Sequence, residues 1–217
     1  MKYGESVFDI AYLLFAILIG AAILRKRKDP VGRLMGSAVL ILGCGDAFHL
    51  IPRVLNYFVS GDFTAWLGFG KLVTSITMTV FYLLMYRLWI KAYNGTENTK
   101  LSAAVYILAA VRIILCLMPQ NHWFENDSSV LWGIIRNIPF VALGCIDVWL
   151  FFQKRKEIPR FRWIWLLITL SFLFYIPVAV AASLVPILGV LMLPKTVCYM
   201  LLIWAFWKHA SETGQTG

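Results

Sequence analysis

The sequence predicts an all-α integral membrane protein with seven transmembrane helices, and three observations support this fold class. Of the 217 residues, 60% are hydrophobic and 14% are charged, whereas a soluble domain carries about a quarter charged residues. The hydrophobic residues form seven runs, each close to the roughly 20 residues that a helix needs to cross a bilayer. The lysines and arginines cluster between these runs, so the net charge of +9 is typical of membrane orientation and not of nucleic-acid binding.

The predicted helices follow one another with short connections. In order, they cover residues 7–24, 34–55, 65–90, 101–119, 129–152, 162–183 and 187–207. Tryptophans, which anchor helix ends at the membrane interface, lie near these ends as Trp66, Trp123, Trp132, Trp163, Trp204 and Trp207. The connections leave no room for a soluble domain, so we expect a single membrane domain over 1–217. The first run lacks a preceding basic cluster and a small-residue cleavage site, so we expect no cleaved signal peptide.

The distribution of basic residues predicts the orientation of the chain. One side of the membrane would hold Arg25, Lys26, Arg27, Lys28, Arg33, Arg87, Lys91, Lys100, Lys154, Arg155, Lys156, Arg160, Arg162 and Lys208. The opposite side would hold only Lys2 and Arg53. Because cytoplasmic loops carry the excess of lysine and arginine, we expect the N-terminus outside and the C-terminus in the cytoplasm. The expected location is a cell membrane, specifically a prokaryotic plasma membrane.

Helices 1–3 and 5–7 resemble two copies of one unit. The basic run at 25–30 recurs at 153–159, and further matched pairs are Asp9 with Asn137, Pro52 with Pro177, and Lys71 with Lys195. The halves, 7–90 and 129–207, would then be parallel copies joined by the linker helix 101–119. The alternative is that any two helix pairs share a basic inner loop, which explains the basic runs but not the matched lysines. The three-plus-one-plus-three layout resembles SWEET transporters, PQ-loop proteins and microbial rhodopsins in architecture.

Ionisable residues inside the predicted helices are the main functional signal. Lys71, Arg112, Arg136 and Lys195 lie there together with Asp46, His49 and Asp147. A charge at the bilayer centre costs roughly 2.5–3.5 kcal/mol on insertion scales, so such residues face a cavity or pair with each other. In a structural alternative, Asp46 forms a buried salt bridge with Lys195 or Lys71 that fixes the packing of the helices. The guanidinium of Arg136 would then reach outward to the membrane interface. Because cations outnumber carboxylates, we expect an outward-facing polar pocket for an anionic group.

The residues that we expect around this pocket come from five helices. The predicted ligand-binding residues are Lys71, Ser75, Arg112, Asn137, Lys195, Tyr199 and Arg53. On helix 2, Asp46, His49 and Arg53 share one face at spacings of i, i+3 and i+7. Only one of the three histidines lies in a predicted span, which disfavours a zinc site. Lys195 alone is weak support for a retinal Schiff base, because helix 3 offers no carboxylate. We therefore expect no metal and no cofactor.

Four short segments are similar to the lysoplasmalogenase-like membrane hydrolases. The segment around Gly45-Asp46 resembles the Gly-Asp-x-x-x-Leu helix of that family, and Ile146-Asp147 begins a segment similar to its Ser-Asp-x-x-Leu motif. Residues 70–75 and 198–199 match a glycine-containing helix and a final tyrosine-containing helix. The resemblance implies hydrolysis of the vinyl-ether bond of a lysoplasmalogen, with Asp46 and Asp147 as catalytic acid and base. His49 is the third catalytic candidate, and the cations would hold the lipid phosphate.

Two other function classes remain open. A small-solute transporter built from parallel repeats would use Lys71 and Lys195 as symmetry-related ligand contacts. A ligand-binding or sensor protein without catalysis is less well supported, because no long cytoplasmic segment provides an output domain. The expected partners are membrane lipids and a small anionic or lysolipid ligand, with no nucleic acid, and the sequence allows a homo-oligomer.

Overall fold

The protein is helical throughout the part described by its computed structural model, which covers residues 2–95, 98–125, 130–181 and 185–213. The helices are α1 (Lys2–Lys26), α2 (Pro30–Phe58), α3 (Thr64–Ala92), α4 (Thr99–Leu117), α5 (Val130–Gln153), α6 (Ile164–Ala181) and α7 (Met192–Thr213). Short 3₁₀ helices cover Pro119–Asn121, Pro159–Phe161 and Pro186–Leu191. Within these described ranges there is no β-strand.

All seven α-helices are long and apolar enough to cross a membrane. The prediction of seven helices with the length and composition of membrane spans is thereby confirmed, and this fold is compatible with a multi-pass membrane protein. Several helices begin or end a few residues beyond the predicted limits. Position 129 and positions 182–183, which the prediction includes in helices 5 and 6, lie outside the described residues.

Side-chain caps begin two of the helices. Asp29 precedes α2, accepts a hydrogen bond from the Gly32 backbone N–H at 3.1 Å, and is followed by Pro30 in the first turn. Asn98 caps α4 by accepting from the N–H groups of Lys100 and Leu101. These side chains accept hydrogen bonds from backbone N–H groups of the first turn, which have no partner within the helix. Proline is favoured at the first position of a helix, because the N–H group that it lacks would have no partner there.

The helices form a ring in the order of the chain. Each helix packs against the next, and α1 also packs against α7, which closes the ring. Helix α3 lies toward the middle because it contacts α5 as well as α2 and α4. Because the connections are short, successive helices are antiparallel. We call the end where α1 begins the N-terminal end of the bundle, and the opposite end its C-terminal end.

A layer of aromatic side chains fills the middle of the ring. Tyr82 of α3 has its ring centroid 5.3 Å from that of Phe140 on α5 and 5.3 Å from that of Phe172 on α6. Phe81 packs edge-on against Tyr199 of α7 at 5.9 Å. These rings are buried and in preferred tilted or edge-to-face arrangements. The polar groups described below are therefore embedded in a packed interior.

The α2–α3 contact requires glycine at one point. A Cβ atom at Gly70 would lie 2.6 Å from the His49 Cα atom and would overlap the Phe48 carbonyl oxygen. Glycine thus permits the close backbone approach that small residues allow between membrane helices. This approach fixes the position of the α2 face that carries the ionisable residues.

Candidate functional site

The centre of the site is a carboxylate and an ammonium on facing helices. The Tyr12 hydroxyl of α1 donates a hydrogen bond of 2.7 Å to Asp46 Oδ2 on α2. Lys195 of α7 lies close enough to Asp46 for electrostatic attraction. Both charged side chains are half-buried. Three helices therefore meet at one polar group, as expected if Asp46 and Lys195 form a bridge.

Tyrosines surround the ammonium of Lys195. Its Nζ atom lies 5.1 Å from the ring centroid of Tyr175 on α6 and 5.4 Å from that of Tyr199 on α7. An ammonium at these distances is attracted by the ring faces. The Tyr175 hydroxyl donates to Asn137 Oδ1 of α5 at 2.9 Å, and Asn137 itself donates to the Gly133 carbonyl. The structure thus brings the predicted residues Asn137, Lys195 and Tyr199 into one group.

His49 lies one turn from Asp46 on the same face of α2. Its ring is hydrogen-bonded to the Leu67 backbone of α3, while its Nδ1 atom is buried without a hydrogen-bond partner. The charged neighbours of the ring are Arg53, Lys71 and Lys195. A buried acceptor without a donor is uncommon in folded proteins. This nitrogen can therefore accept a hydrogen bond from a water molecule or a ligand.

Arg53, a predicted ligand-binding residue, lies in an ion cluster at the N-terminal end, next to Asp46 and His49. Its Nη2 atom is 2.6 Å from Asp9 Oδ2, and its Nη1 atom is 3.3 Å from Glu5 Oε1. The Tyr57 hydroxyl donates to Glu5 at 3.1 Å. Two carboxylates on α1 therefore oppose the single charge of Arg53, and the positive surplus inferred from the sequence does not extend to this residue.

Sequence reasoning missed the polar face of α1. Glu5, Asp9 and Tyr12 follow one another at spacings of i, i+4 and i+7, which places them on one side of a helix. This spacing mirrors that of Asp46 and Arg53 on α2, the residues with which they pair. The two matching spacings were available in the sequence, and they could have identified Asp9 and Tyr12 as partners.

Arg112, Lys71 and Ser75 belong to a different group between α3, α4 and α5. Arg112 is only 1% exposed, and its Nη1 atom donates to the Arg136 carbonyl. Lys71 and Arg136 are close enough to repel each other. The Ser75 hydroxyl donates to the Lys71 carbonyl at 2.8 Å, so it is used within its own helix. The predicted site residues therefore divide into two adjacent groups, one around Lys195 and one around Arg112, and His49 has a basic neighbour from each of them, Lys195 and Lys71.

Asp147 lies deeper in the bundle and is fully buried. It is 0% exposed, and neither carboxyl oxygen has a hydrogen-bond partner among the described residues. The hydroxyls of Tyr82 and Tyr199 lie 3.2 Å apart, with the Ser171 hydroxyl in hydrogen-bonding range of both. Tyr82 interacts electrostatically with Asp147, and Tyr199 interacts with Asp46.

These residues form a series across the membrane, which we call the polar column: Lys195, Asp46, Tyr199, Tyr82 and Asp147. At 1.5 Å of rise per residue, they lie about 27, 24, 21, 15 and 9 Å along their helices from the C-terminal end of the bundle. No described contact joins Asp46 directly to Asp147. The hydroxyls of Tyr82 and Tyr199 are hydrogen-bonded to each other and lie between the two carboxyl groups in depth, but neither hydroxyl is hydrogen-bonded to Asp147.

Two apolar grooves flank α2 on its outer surface. One, of about 370 Å³, is lined by Ala47, Phe48, Ile51, Pro52, Leu55, Phe63 and Trp66. The other, of about 130 Å³, is lined by Asp9, Ile10, Leu13, Leu50, Ile51, Val54 and Leu55. On a helix with 3.6 residues per turn, the lining positions of the larger groove lie opposite Asp46 and His49. That groove therefore faces away from the polar column.

Metal ligation is not indicated within the described ranges, where no group of three or more histidine, cysteine or acidic side chains is arranged to hold an ion. No protein-family model, curated protein or solved structure matches this chain.

Proposed function

We propose that this protein is a multi-pass membrane transporter that moves a small anionic or zwitterionic solute together with a proton. The observation that carries the proposal is the polar column, in which ionisable groups at different depths are linked by tyrosine hydroxyls. Ionisable residues within membrane helices commonly mark substrate paths and proton relays. The layout resembles that of parallel-repeat transporters, with α1–α3 and α5–α7 as the two halves and α4 as the linker.

The solute site would be the Asp46–Lys195 pair in the half of the bundle that we place outward. An incoming carboxylate or phosphate would bind the Lys195 ammonium in place of Asp46, while Asp46 would accept a donor from the solute. The Tyr175 and Tyr199 rings would form the walls of this site. Residues of both halves thus contact one ligand, which is how repeat transporters bind substrate near the bilayer midplane.

Asp147 would hold the coupled proton. A carboxyl group that is 0% exposed and has no described hydrogen-bond donor is costly to ionise. We therefore take Asp147 to be neutral in the absence of solute, with its proton on one carboxyl oxygen. The Tyr199–Tyr82 hydroxyl pair provides the only series of polar groups described here between this acid and Asp46.

Reconstitution into liposomes containing a pH-sensitive dye tests this function. We expect one class among small carboxylates, phosphate esters and amino acids to acidify or alkalinise the lumen when added outside. Lys195→Ala should abolish uptake, whereas Asp147→Asn should keep solute exchange and lose the pH change. Lys91→Gln, an exposed residue in the last turn of α3, is the matched control. Failure of every solute class, or an unchanged pH signal in Asp147→Asn, would contradict the proposal.

A second candidate is hydrolysis of a lysoplasmalogen, as the resemblance to lysoplasmalogenase-like proteins implies. The buried Nδ1 atom of His49, one turn from Asp46, is the observation that favours it. His49 would take a proton from water while protonated Asp46 gives its proton to the vinyl-ether carbon, and the resulting hemiacetal would break down to an aldehyde and the glycerophosphodiester that carries the head group. Purified protein should then form aldehyde from a lysoplasmalogen, and Asp46→Asn should not. Absence of aldehyde would leave the transport proposal standing alone.

A further inference from the structure

A second set of cations, of which Arg112 is buried and Arg136 is half-buried, lies between α3, α4 and α5, apart from the polar column. Its members are Arg112 and Arg136, with Lys71 as a basic neighbour. Arg136 is adjacent to Asn137, whose partner Tyr175 also contacts Lys195. The set therefore borders the proposed solute site, but it differs in charge: its members are all basic, and no carboxylate in the described residues pairs with either arginine.

The donors of Arg112 are only partly used. A guanidinium carries five N–H donors. One nitrogen of Arg112 donates to the Arg136 carbonyl, and the group lies 5.1 Å from the centroid of the Phe140 ring. Its Nε atom is buried without a hydrogen-bond partner. A side chain that is 1% exposed and charged thus has a donor aimed into the protein with no acceptor.

Arg136 is positioned by contacts that leave its charge uncompensated. Its Nη1 atom donates to Asn121 Oδ1 at 2.7 Å, and its guanidinium lies 4.4 Å from the ring centroid of Trp123. The Asn121 amide in turn donates to the carbonyls of Leu115, Cys116 and Met118 at the end of α4. Those carbonyls are therefore occupied by Asn121 and do not serve the guanidinium.

The basic residues lie at one depth, and a tryptophan ring covers one of them. Lys71, Arg112 and Arg136 are seven, five and six residues from the N-terminal-end limits of their helices, or roughly 8–11 Å. Trp123 covers Arg136: it is 7% exposed, its indole donates to the Cys116 carbonyl at 2.7 Å, and its own carbonyl lies against Gly68. Long basic side chains at this depth can reach the level of lipid phosphates.

We propose that Arg112 and Arg136 bind an anion of the phosphate type beneath Trp123. The tetrahedral oxygens of such an anion would accept from Arg112 Nε and from the unused nitrogens of both guanidiniums, which favour this geometry. The anion is either free phosphate or the phosphate of a lipid headgroup, because both present the same acceptors. The site does not depend on the transport proposal, since neither arginine belongs to the polar column.

Titration of purified, delipidated protein tests the site. Inorganic phosphate is added at constant ionic strength in one series, and nanodiscs containing phosphatidylglycerol or only phosphatidylcholine are compared in another. The readouts are the melting temperature and tryptophan fluorescence, because Trp123 stacks on Arg136. We expect a saturable response to phosphate if the ligand is free, and to phosphatidylglycerol alone if it is a headgroup.

Three arginine variants and one control decide between anion binding and a purely structural role. Arg112→Gln and Arg136→Gln should each weaken the response at least tenfold, while the control Lys91→Gln should match the wild type. Arg136→Lys keeps the positive charge, so its response should be stronger than that of Arg136→Gln. This comparison tests the proposal even if Arg112→Gln fails to fold. Wild-type protein that responds to neither phosphate nor phosphatidylglycerol, or arginine variants that respond like the wild type, would overturn the proposal. Asp147→Asn, which should lose only the coupled pH change, should bind the anion normally, so failure of proton coupling and loss of this site are distinguishable.

Discussion

At the scale of single residues, the interior is defined by polar atoms that lack partners. His49 Nδ1, Arg112 Nε and both carboxyl oxygens of Asp147 are buried without hydrogen bonds among the described residues. Each such atom costs free energy of folding, typically 1–3 kcal/mol for a neutral group and more for a charged one. Three helices, α2, α4 and α5, each carry this cost. We interpret the positions as sites where a ligand, water or proton completes the structure.

Asp46 and Asp147 should respond differently to replacement by asparagine. Asp46→Asn leaves the half-buried Lys195 ammonium without its carboxylate, and breaking a buried pair costs about 3–5 kcal/mol. Asp147→Asn replaces a group that we hold to be neutral, so its unfolding free energy should change by about 1 kcal/mol or less. Unfolding of both variants in mixed micelles at pH 7 measures the difference. Equal destabilisation would mean that Asp147 has a counter-charge.

At the scale of elements, the connection between α1 and α2 stabilises the start of α2 through the capping residue Asp29. The Asp29 side chain accepts from Arg27 at 2.6 Å and from the Gly32 N–H. The hydrogen bond from Arg27 and that from Gly32 hold the pKa of the Asp29 carboxyl below its ordinary value of 3.8. A cap of this kind contributes about 1 kcal/mol to helix stability.

Asp29→Ala should therefore lower the unfolding free energy by about 1 kcal/mol at neutral pH. Because the folded carboxyl has the lower pKa, its ionic contribution is complete above pH 3.8 and is lost as the pH falls through the folded value. Asp29→Asn keeps a capping oxygen without the charge, so its stability relative to alanine should not vary with pH over this range. Thermal unfolding between pH 3 and 7 compares the wild type and Asp29→Asn, each with Asp29→Ala. If the stability difference between the wild type and Asp29→Ala increased as the pH fell, the prediction would be wrong.

The α2–α3 contact should be sensitive to one methyl group. Gly70→Ala places a Cβ atom against the Phe48 carbonyl and His49 Cα, and we expect a loss of about 1–3 kcal/mol from this overpacking. Gly4→Ala is the matched control, because no atom lies within 4 Å of its added Cβ. The control should be neutral or slightly stabilising, since alanine favours helix. Melting temperatures of the two variants check this. Equal values would mean that the α2 and α3 backbones do not approach closely at Gly70.

At the scale of the whole molecule, the helices form a closed ring whose inner wall is polar on six of the seven helices. Tyr12, Asp46, Tyr82, Asn137, Tyr175 and Lys195 come from α1, α2, α3, α5, α6 and α7. Helix α4 is outside this set and contributes Arg112 to the anion group. Each of the two proposed sites thus belongs to a different part of the ring.

The orientation of the ring is a prediction that reporter fusions can test. We expect alkaline phosphatase to be active when fused after Gly61 and inactive when fused after Asn94, because the basic connections lie in the cytoplasm. Gly61 follows α2 and Asn94 follows α3, so the two fusions differ by one membrane crossing. A green fluorescent protein at each point should give the inverse pattern. Activity at Asn94 alone would reverse the bundle.

The sequence predicted the helices well because hydropathy and helix length are local properties. The predicted third helix, 65–90, differs from the observed Thr64–Ala92 by one or two residues at each end. Depth along a helix was also predictable, which is why Asp46, Lys195 and Tyr199 were all included in the site. The direction that each residue faces was not predictable, because it depends on how helices pack. Lys71 and Lys195 therefore appeared equivalent, although they lie in different groups.

Closure of the ring through α1 and α7 has a consequence for how the protein is made. Asp46 enters the membrane with the second helix, whereas Lys195 follows 149 residues later in the last helix. Until that helix is synthesised, the partners of Asp46 described here are Tyr12, which donates a hydrogen bond to it, and Arg53, a basic neighbour on the same helix. We therefore expect the attraction between Asp46 and Lys195 to form last, when the seventh helix packs against the first and the sixth.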